Sequence, residues 1–417
     1  MEPKDSSIVI VGAGIVGLAC AHYLRRAGFS VTVVERDRIG KACSHGNCGY
    51  ICPSHVLPLT EPAALKTATK SLFNPQAPFR IKPRLSPRLW HWLLQFARRC
   101  NERQMLSAGR ALKAILDSSM AEYRSLIKEE GFECEWTPTG LLYVLRTEAG
   151  RQSFQETDSF VTDHFNVPAR FIPGSDLPDF DPALKPGLAG GYLYEEDAFL
   201  RPDRLIDQWT AALKNQGVEF RERTDVLAVS KQGSKIVALQ TNEQPIKADT
   251  FVFATGAWSV EMEKLLGCRI PIEPGKGYSL TMQRPANCPR HAMLFPEHKV
   301  GVTPFENGYR LGSMMEFAGF DTSIPQARIQ QLRSSAEPYL HDPHTETIQE
   351  EWFGWRPMTW DSLPIIGRTP KLENAFLATG HNMLGLSLAP ATGRLVAEQI
   401  TQSKTHIEKD AFSPNRF

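Results

Sequence analysis

The chain has 417 residues, 42% of them hydrophobic, with 47 basic against 46 acidic side chains and a formal net charge of +1. That length and apolar content allow two or three globular units of roughly 100 to 200 residues each, and the even charge balance leaves no electrostatic footprint for nucleic acid. Eight cysteines are too thinly spread to staple a fold, the polar start MEPKDSS carries no signal pattern, and the longest apolar run, residues 8–21, falls short of the roughly 20 residues that cross a bilayer; a cytoplasmic protein with no membrane span is expected.

The first elements lie in SSIVIVGAGIVGLACAHYLRRAGFSVTVVERD. Residues 8–11 read as a buried strand, 15–27 as a helix and 31–34 as a second buried strand, which together make a βαβ unit. Gly12, Gly14 and Gly17 have the G-x-G-x-x-G spacing of a dinucleotide turn: a sharp exit from the strand, close approach of backbone to a pyrophosphate, and tight packing of helix on strand. Ala13, Ile15 and Val16 complete that turn. Glu35, with Arg36 after it, stands where a carboxylate accepts both ribose hydroxyls of an adenosine and repels a 2'-phosphate, which disfavours NADP.

Next comes CSHGNCGYICPSH, residues 43–55. Three cysteines and two histidines in so short a stretch are compatible with a metal site, a disulfide, a reactive thiol or a loop folded against a cofactor. The spacing C-x4-C-x3-C lacks the paired C-x2-C of zinc and iron–sulfur sites, so no metal is expected.

Residues 57–130 read as mostly helical, with Pro75, Pro78, Pro83 and Pro87 marking a linker before RLWHWLLQFARRC and an amphipathic run over 111–127. Residues 80–103 hold seven Arg or Lys against one Glu, together with Trp90 and Trp92. A basic aromatic helix of this kind either lies on an anionic membrane or packs its apolar side inward with its arginines in water. Residues 226–238 look like a β-meander. KADTFVFATGAWS is a strand that ends in Thr255 and Gly256. Residues 270–320 alternate like strands, and near the end a strand at 375–378 runs through Gly380 into a helix with apolar positions 388, 395, 396 and 400. The fold class expected is mixed α/β and α+β: a Rossmann-like cofactor domain assembled from residues 1–56, 196–265 and 352–417, and a substrate domain of antiparallel sheet flanked by helices from 57–195 and 266–351.

Taken together, VIVGAGIVGLACAHYLRRAG with Glu35, SHGNCGYICPSH where the pattern is S-x-x-N-x-G-x-I-x-P, PIEPGKGYSLT, YRLGSMMEFAGFD, GWRPMTWDSLPIIG and GHNMLGLSLAPATG resemble the FAD-dependent D-amino acid oxidase and dehydrogenase family, most closely the small-subunit type of D-amino acid dehydrogenase. The resemblance spans the chain. It implies FAD, held without a covalent bond, although Cys48 and His45 leave attachment through the loop open. It also implies that Ser44, His45, Gly46, Asn47, Cys48 and Gly49 run along the flavin with the cysteines as bystanders, and that Val226, Thr255, Gly256, Trp258, Gly354, Gly380, Asn382, Met383, Leu384, Gly385 and Leu386 contribute to the cofactor site. Backbone N–H groups of 382–386 and the helix behind them would face the flavin C2 carbonyl, where reduction develops negative charge.

The same resemblance makes Arg356, in GWRP, the group that holds a substrate α-carboxylate, a task suited to a planar bidentate guanidinium. His381 is a candidate helper near the flavin or a structural histidine. Tyr278, Tyr50 and His55 are candidate pocket groups or packing residues. The activity implied is oxidative deamination of a D-amino acid to a 2-oxo acid and ammonia by hydride transfer from Cα to flavin N5, with electrons passed to a quinone, another carrier or oxygen; no dedicated base is required when the amine is neutral. Oxidation of a secondary amino acid (sarcosine, glycine, D-proline or hydroxyproline) is an alternative within the class, and a non-catalytic FAD-binding subunit of a larger oxidase is an alternative outside it. Peripheral association with the inner face of a membrane stays open.

Overall fold

A computed structural model describes residues 6–64, 77–82 and 84–417; Pro75 and Pro83 of the expected linker lie outside the described residues. The β-branched runs SIVIV and SVTVV pair in parallel as strands Ser7–Val11 and Ser30–Val34, joined by helix Ile15–Arg26. Their continuous apolar character suits a sheet buried on both faces. Thr250–Phe253 lies on the other side of Ser7–Val11 and is followed by Ala375–Thr379, while Glu219–Arg221 adds beyond Ser30–Val34. Ile365–Arg368 closes the opposite edge antiparallel, which makes a six-stranded sheet from distant parts of the chain.

Helix Gly385–Ile400 packs across Ile15–Arg26. A Cβ at Gly393 would sit 2.5 Å from the Ala19 backbone, so only a glycine permits helices this close. Helix Glu102–Glu130 flanks the pair, and its Tyr123 hydroxyl donates to Leu386 O at 2.7 Å. The segment expected to form a meander is a single hairpin, Val226–Gln232 against Lys235–Thr241, because its second strand leads into the parallel strand at 250 and not into a third antiparallel one.

The second sheet has nine strands among the described residues. They run in the order Ile348–Thr359, Ile272–Met282, Gly308–Phe317, Val300–Phe305, Ala292–Phe295, Leu141–Leu145, Gly190–Tyr194 and Arg170–Pro173, with Phe79–Ile81 added beside Gly308–Phe317. The boundary expected at 351/352 falls inside strand Ile348–Thr359, which pairs along its length with Ile272–Met282. One face of this sheet packs Tyr278, Leu280 and Leu311 under Ile329 and Leu332 of helix Gln326–Ala336. The other face is cleared by glycines. A Cβ at Gly312 would meet Cys48 Sγ at 2.4 Å, and one at Gly301 would meet the Tyr50 hydroxyl at 2.7 Å, so residues 43–50 lie directly on the sheet.

The expected helices at 87–130 are Pro87–Arg99 and Glu102–Glu130, capped by the Ser86 and Asn101 side chains. No helix among the described residues is long and apolar enough to cross a membrane.

Candidate functional site

A cavity of about 1780 Å³ runs from the end of strand Ser7–Val11, past loop 43–50, to the glycine-cleared face of the large sheet. Ordinary small-molecule sites enclose roughly 300–1,000 Å³; this one has room for an extended dinucleotide and a second small molecule.

At one end Gly12 takes φ +104°, and a Cβ there would lie 2.5 Å from Ala254 O. Gly14 caps helix Ile15–Arg26 with no side-chain bond, so its first-turn amides are free for an anion, apart from Ile15 N, which donates to Ser44 Oγ at 3.2 Å. Glu35 accepts from Ala13 N at 2.9 Å and from Asp37 N at 3.1 Å, which holds its carboxylate rigidly beside the turn. The Arg36 guanidinium lies 4.0 Å over the Trp258 ring and 3.7 Å from Glu261. Gly12, Gly14, Ile15, Val16, Glu35, Arg36, Val226, Thr255, Gly256 and Trp258 all line the cavity. Ala13 and Gly17 do not. A Cβ at Gly17 would lie 1.9 Å from Gly12 O, so this glycine serves the packing of helix on strand.

In the middle stretch, Ser44, Gly46, Asn47, Cys48 and Gly354 line the cavity. His45 is directed elsewhere: its Nε2 is 2.7 Å from Glu350. Gly49 turns at φ +85° against Leu200 O, and Gly380 turns at φ +73° against Thr359; both shape the backbone behind the wall. Arg310, buried in strand Gly308–Phe317, clamps the loop by donating to Asn47 O at 2.7 Å and His45 O at 3.3 Å. Burial pushes the Cys43 thiol up to about 11 and raises Cys48 and Cys52 as well. These thiols are therefore protonated at neutral pH and poor nucleophiles. Among the described residues no three His, Cys, Asp or Glu side chains gather as a metal site.

The turn before helix Gly385–Ile400 is held by Asn382 at φ +53°, whose Oδ1 accepts from Thr359 N at 2.9 Å. Asn382, Met383, Leu384, Gly385 and Leu386 line the cavity, and the uncapped start of this helix presents its orphan amides and positive dipole end there. Ser387 Oγ donates to Tyr50 O at 2.9 Å, tying loop and helix together.

Arg356 projects from strand Ile348–Thr359 over the Gly277 position, where a Cβ would lie 2.2 Å from its Nη1. Nη1 donates to Met314 O at 2.6 Å, and Met314 holds that carbonyl in place with φ +65°, a conformation costly for a non-glycine residue. Burial lowers the Arg356 pKa, with the Cys43 and Cys48 thiols acting in the opposite direction. No described acidic side chain pairs with it. Its guanidinium thus faces the cavity with no counter-ion among the described residues.

The other candidates, Tyr278, Tyr50, His55 and His381, also line the cavity, with polar atoms bonded to protein groups. The Tyr278 hydroxyl donates to Glu316 at 2.8 Å, with Arg328 of helix Gln326–Ala336 3.6 Å from the same carboxylate. Strand alternation sends Tyr278 to the helix-covered face, whereas its neighbour Gly277 faces Arg356. The Tyr50 hydroxyl reaches Met293 O and Val302 O. His55 Nε2 lies 2.6 Å from the Tyr143 hydroxyl, and burial lowers its pKa to about 4. His381 is 2% exposed, with Nε2 2.9 Å from Thr392 Oγ1 and its pKa lowered by burial to about 3. It is neutral and cannot offer a positive charge.

Sequence reading missed Met314, Arg310, Tyr143 and Trp352 as cavity or loop-holding residues. The signal that could have found them is the row of glycines in PGKGY, RLGSM and FGWRP, which marks a sheet face kept clear for another segment.

The basic segment is mostly paired. Arg84 reaches Glu273, Arg88 lies 2.9 Å from Glu263, Lys82 lies 3.5 Å from Asp321, and Trp92 is buried with Nε1 donating to Pro271 O.

The description "FAD dependent oxidoreductase" (DAO) is that of the family matching residues 7–399. A D-amino acid dehydrogenase of Vibrio atlanticus (strain LGP32) is 30% identical over 419 residues, covering 98% of this chain and 99% of its own. Among solved structures, glycine oxidase from Geobacillus kaustophilus superposes with a TM-score of 0.80 at 20% identity, covering 99% of each chain. L-proline dehydrogenase from P. horikoshii gives 0.77 at 22% identity, covering 100% of this chain and 98% of its own.

Proposed function

Because this chain belongs to the family of FAD-dependent oxidoreductases, we propose that it oxidatively deaminates a D-amino acid whose carboxylate is held by Arg356. It is an FAD-dependent enzyme acting on CH–NH2 or CH–NH donors. The residues present fit the cofactor: Gly12 makes the tight turn against Ala254 and Gly14 leaves open space at the helix start, two helix N-termini offer unpaired amides, and Glu35 sits beside the turn that takes the adenosine. When bound, FAD supplies the two-electron acceptor and passes the electrons to a quinone, another carrier or oxygen.

Arg356 carries this reading, as a cation with no acidic partner among the described residues that lines the same cavity as the glycine turn. Its free N–H groups grip the substrate carboxylate, and the Met314 carbonyl fixes the plane of the fork. The substrate enters with its amine neutral, loses a hydride from Cα and a proton from nitrogen, and becomes the imino acid. Water then adds to the imine and releases ammonia, leaving the 2-oxo acid. No side chain with a suitable pKa is needed at the nitrogen, and His55 and His381 are both neutral at the pH where the amine is free.

The full-length relative at 30% identity supports the D-amino acid. Oxidation of glycine, sarcosine or a proline derivative uses the same carboxylate grip and is the second reading. Anaerobic bleaching of the yellow holoenzyme decides between them: D-amino acids are expected to bleach it. Bleaching only by sarcosine, glycine or prolines would move the assignment to the second reading, and bleaching by no amine would leave a non-catalytic flavin-binding subunit.

We also assign a peripheral contact with an anionic membrane face to the exposed side chains of residues 85–103, on and flanking helix Pro87–Arg99. Leu85 is fully exposed, Trp90 and Leu94 are 50% exposed, and Arg98 and Arg103 form no ion pair among the described residues. Phosphatidylglycerol vesicles should sediment the wild-type protein and not a Leu85→Ser, Trp90→Ser, Leu94→Ser variant; equal sedimentation of both would refute it.

A further inference from the structure

The wall beside Arg356 identifies the substrate side chain. Met358 follows Arg356 by two residues on the same strand and therefore points to the same face. The two side chains lie next to each other over the glycines of strand Ile272–Met282. A Cβ at Gly277 would meet Arg356, whereas a Cβ at Gly275 would meet Met358 Cγ at 2.7 Å and Met315 Cγ at 3.5 Å. Beyond the two methionines the cavity is lined by Ile81, Phe317, Leu93 and Phe96. These residues belong to one apolar cluster that fills its own interior and opens on the cavity.

Polar alternatives near this wall are already engaged. The Trp92 indole N–H is bonded to Pro271 O, and the Tyr50 hydroxyl to two carbonyls. On the opposite side of Arg356 stand Cys43 and Cys48, both protonated thiols. Among the described residues the charged Glu61 and Lys299 line the same cavity and interact with each other, but the cluster around Met315 and Met358 is apolar, and a second substrate charge buried against it without a partner is costly. A hydrogen atom or methyl group would leave the wall uncovered.

Resting on the reading of Arg356 as the carboxylate anchor, we infer that the amino acid taken by this site carries a large apolar side chain, of the methionine, leucine or phenylalanine class, seated against Met315 and Met358. Methionine walls adapt to branched and aromatic groups alike, so the site discriminates by size and polarity more than by exact shape.

The test uses the purified holoenzyme and two measurements. In the first, kcat/KM is compared across Met, Leu, Phe, Ala, Gly, Asp and Arg, in whichever configuration is oxidised. Leu, Met and Phe should exceed Ala by about tenfold or more, with Gly, Asp and Arg lower still. In the second, dissociation constants of carboxylates that cannot be oxidised are read from the flavin absorbance: 4-methylvalerate and benzoate should bind at least about tenfold tighter than acetate or succinate. Met315→Ser should shrink both preferences. If that variant does not fold, the wild-type series alone decides. Gly, Ala, Asp or Arg matching the apolar set, or acetate and succinate binding as tightly as the larger acids, would overturn the inference and leave the anchor reading in place. Failure of every amino acid to bleach the flavin and of every carboxylate to bind would remove the anchor reading instead.

Discussion

The two ends of the cavity are built in opposite ways. The nucleotide end comes mainly from one stretch, residues 7–35: strand, glycine turn, helix, strand and the acid Glu35, whose carboxylate folds back onto Ala13 N, with Val226, Thr255, Gly256 and Trp258 added from elsewhere. The substrate end is assembled from loop 43–50, strands Ile272–Met282, Gly308–Phe317 and Ile348–Thr359, and the turn before helix Gly385–Ile400. Contacts close in sequence make the first end recognisable, because the glycine spacing, the flanking strands and helix and the acid at the second strand's end all lie within one short stretch. The second depends on register across three strands, where a slip of one residue would send Arg356 to the opposite face.

Breaking the substrate end should have the largest effect. Arg356→Met removes the charged donors on the substrate carboxylate and should lower kcat/KM by about 3–5 kcal/mol, two or three orders of magnitude or more, while the protein still purifies yellow. Steady-state kinetics with flavin quantitation checks this; an unchanged kcat/KM would mean the anchor lies elsewhere.

The second difference concerns pH. Ser54, at the end of the loop, donates through its N–H and hydroxyl to Asp197, which is 1% exposed and whose pKa burial raises to about 7 from 3.8. A carboxyl with a raised folded-state pKa contributes its full stability below the unfolded value and loses it as pH rises through the folded one. Unfolding free energy should therefore decline by a few kcal/mol between about pH 4 and pH 7, and Asp197→Asn should flatten that slope. Chemical denaturation at several pH values gives the answer, and equal slopes in both proteins would contradict it.

At the nucleotide end, Gly17→Ala places a methyl 1.9 Å from Gly12 O. The strand and helix must part, so FAD affinity should weaken by about 1–3 kcal/mol, measured by flavin release on dilution; full retention would show that the turn tolerates the shift. The smallest effect belongs to Arg36→Ala, which removes the cation from the Trp258 face. A loss of about 0.5–1 kcal/mol in FAD binding is expected, with the amino acid KM unaffected. A changed KM would mean the two ends are coupled through that contact.

Much of the site was legible in residue order alone. The glycine turn, the strands at 250 and 375, and the helix start at 385 all stand where their patterns put them, because strand and helix periods are local properties. The remaining side-chain candidates share one feature. Tyr278 and His381 line the cavity and His45 does not, and the polar atoms of all three meet protein partners, Glu316, Thr392 and Glu350. Proximity along a strand or turn says nothing about which face a side chain takes until the partner strands are known.

Residue order by itself determined the cofactor-binding βαβ unit, which follows from spacing within a short stretch, while Arg356 came to notice only through the family resemblance. Only the tertiary structure decided that Arg356 has no acidic partner among the described residues, that Met314 bends to hold it, and that Met315 and Met358 wall the space beside it. The physical reason is that burial, counter-charge and shape arise from strands brought together across tens to hundreds of residues, and no local pattern encodes what a distant segment leaves unfilled.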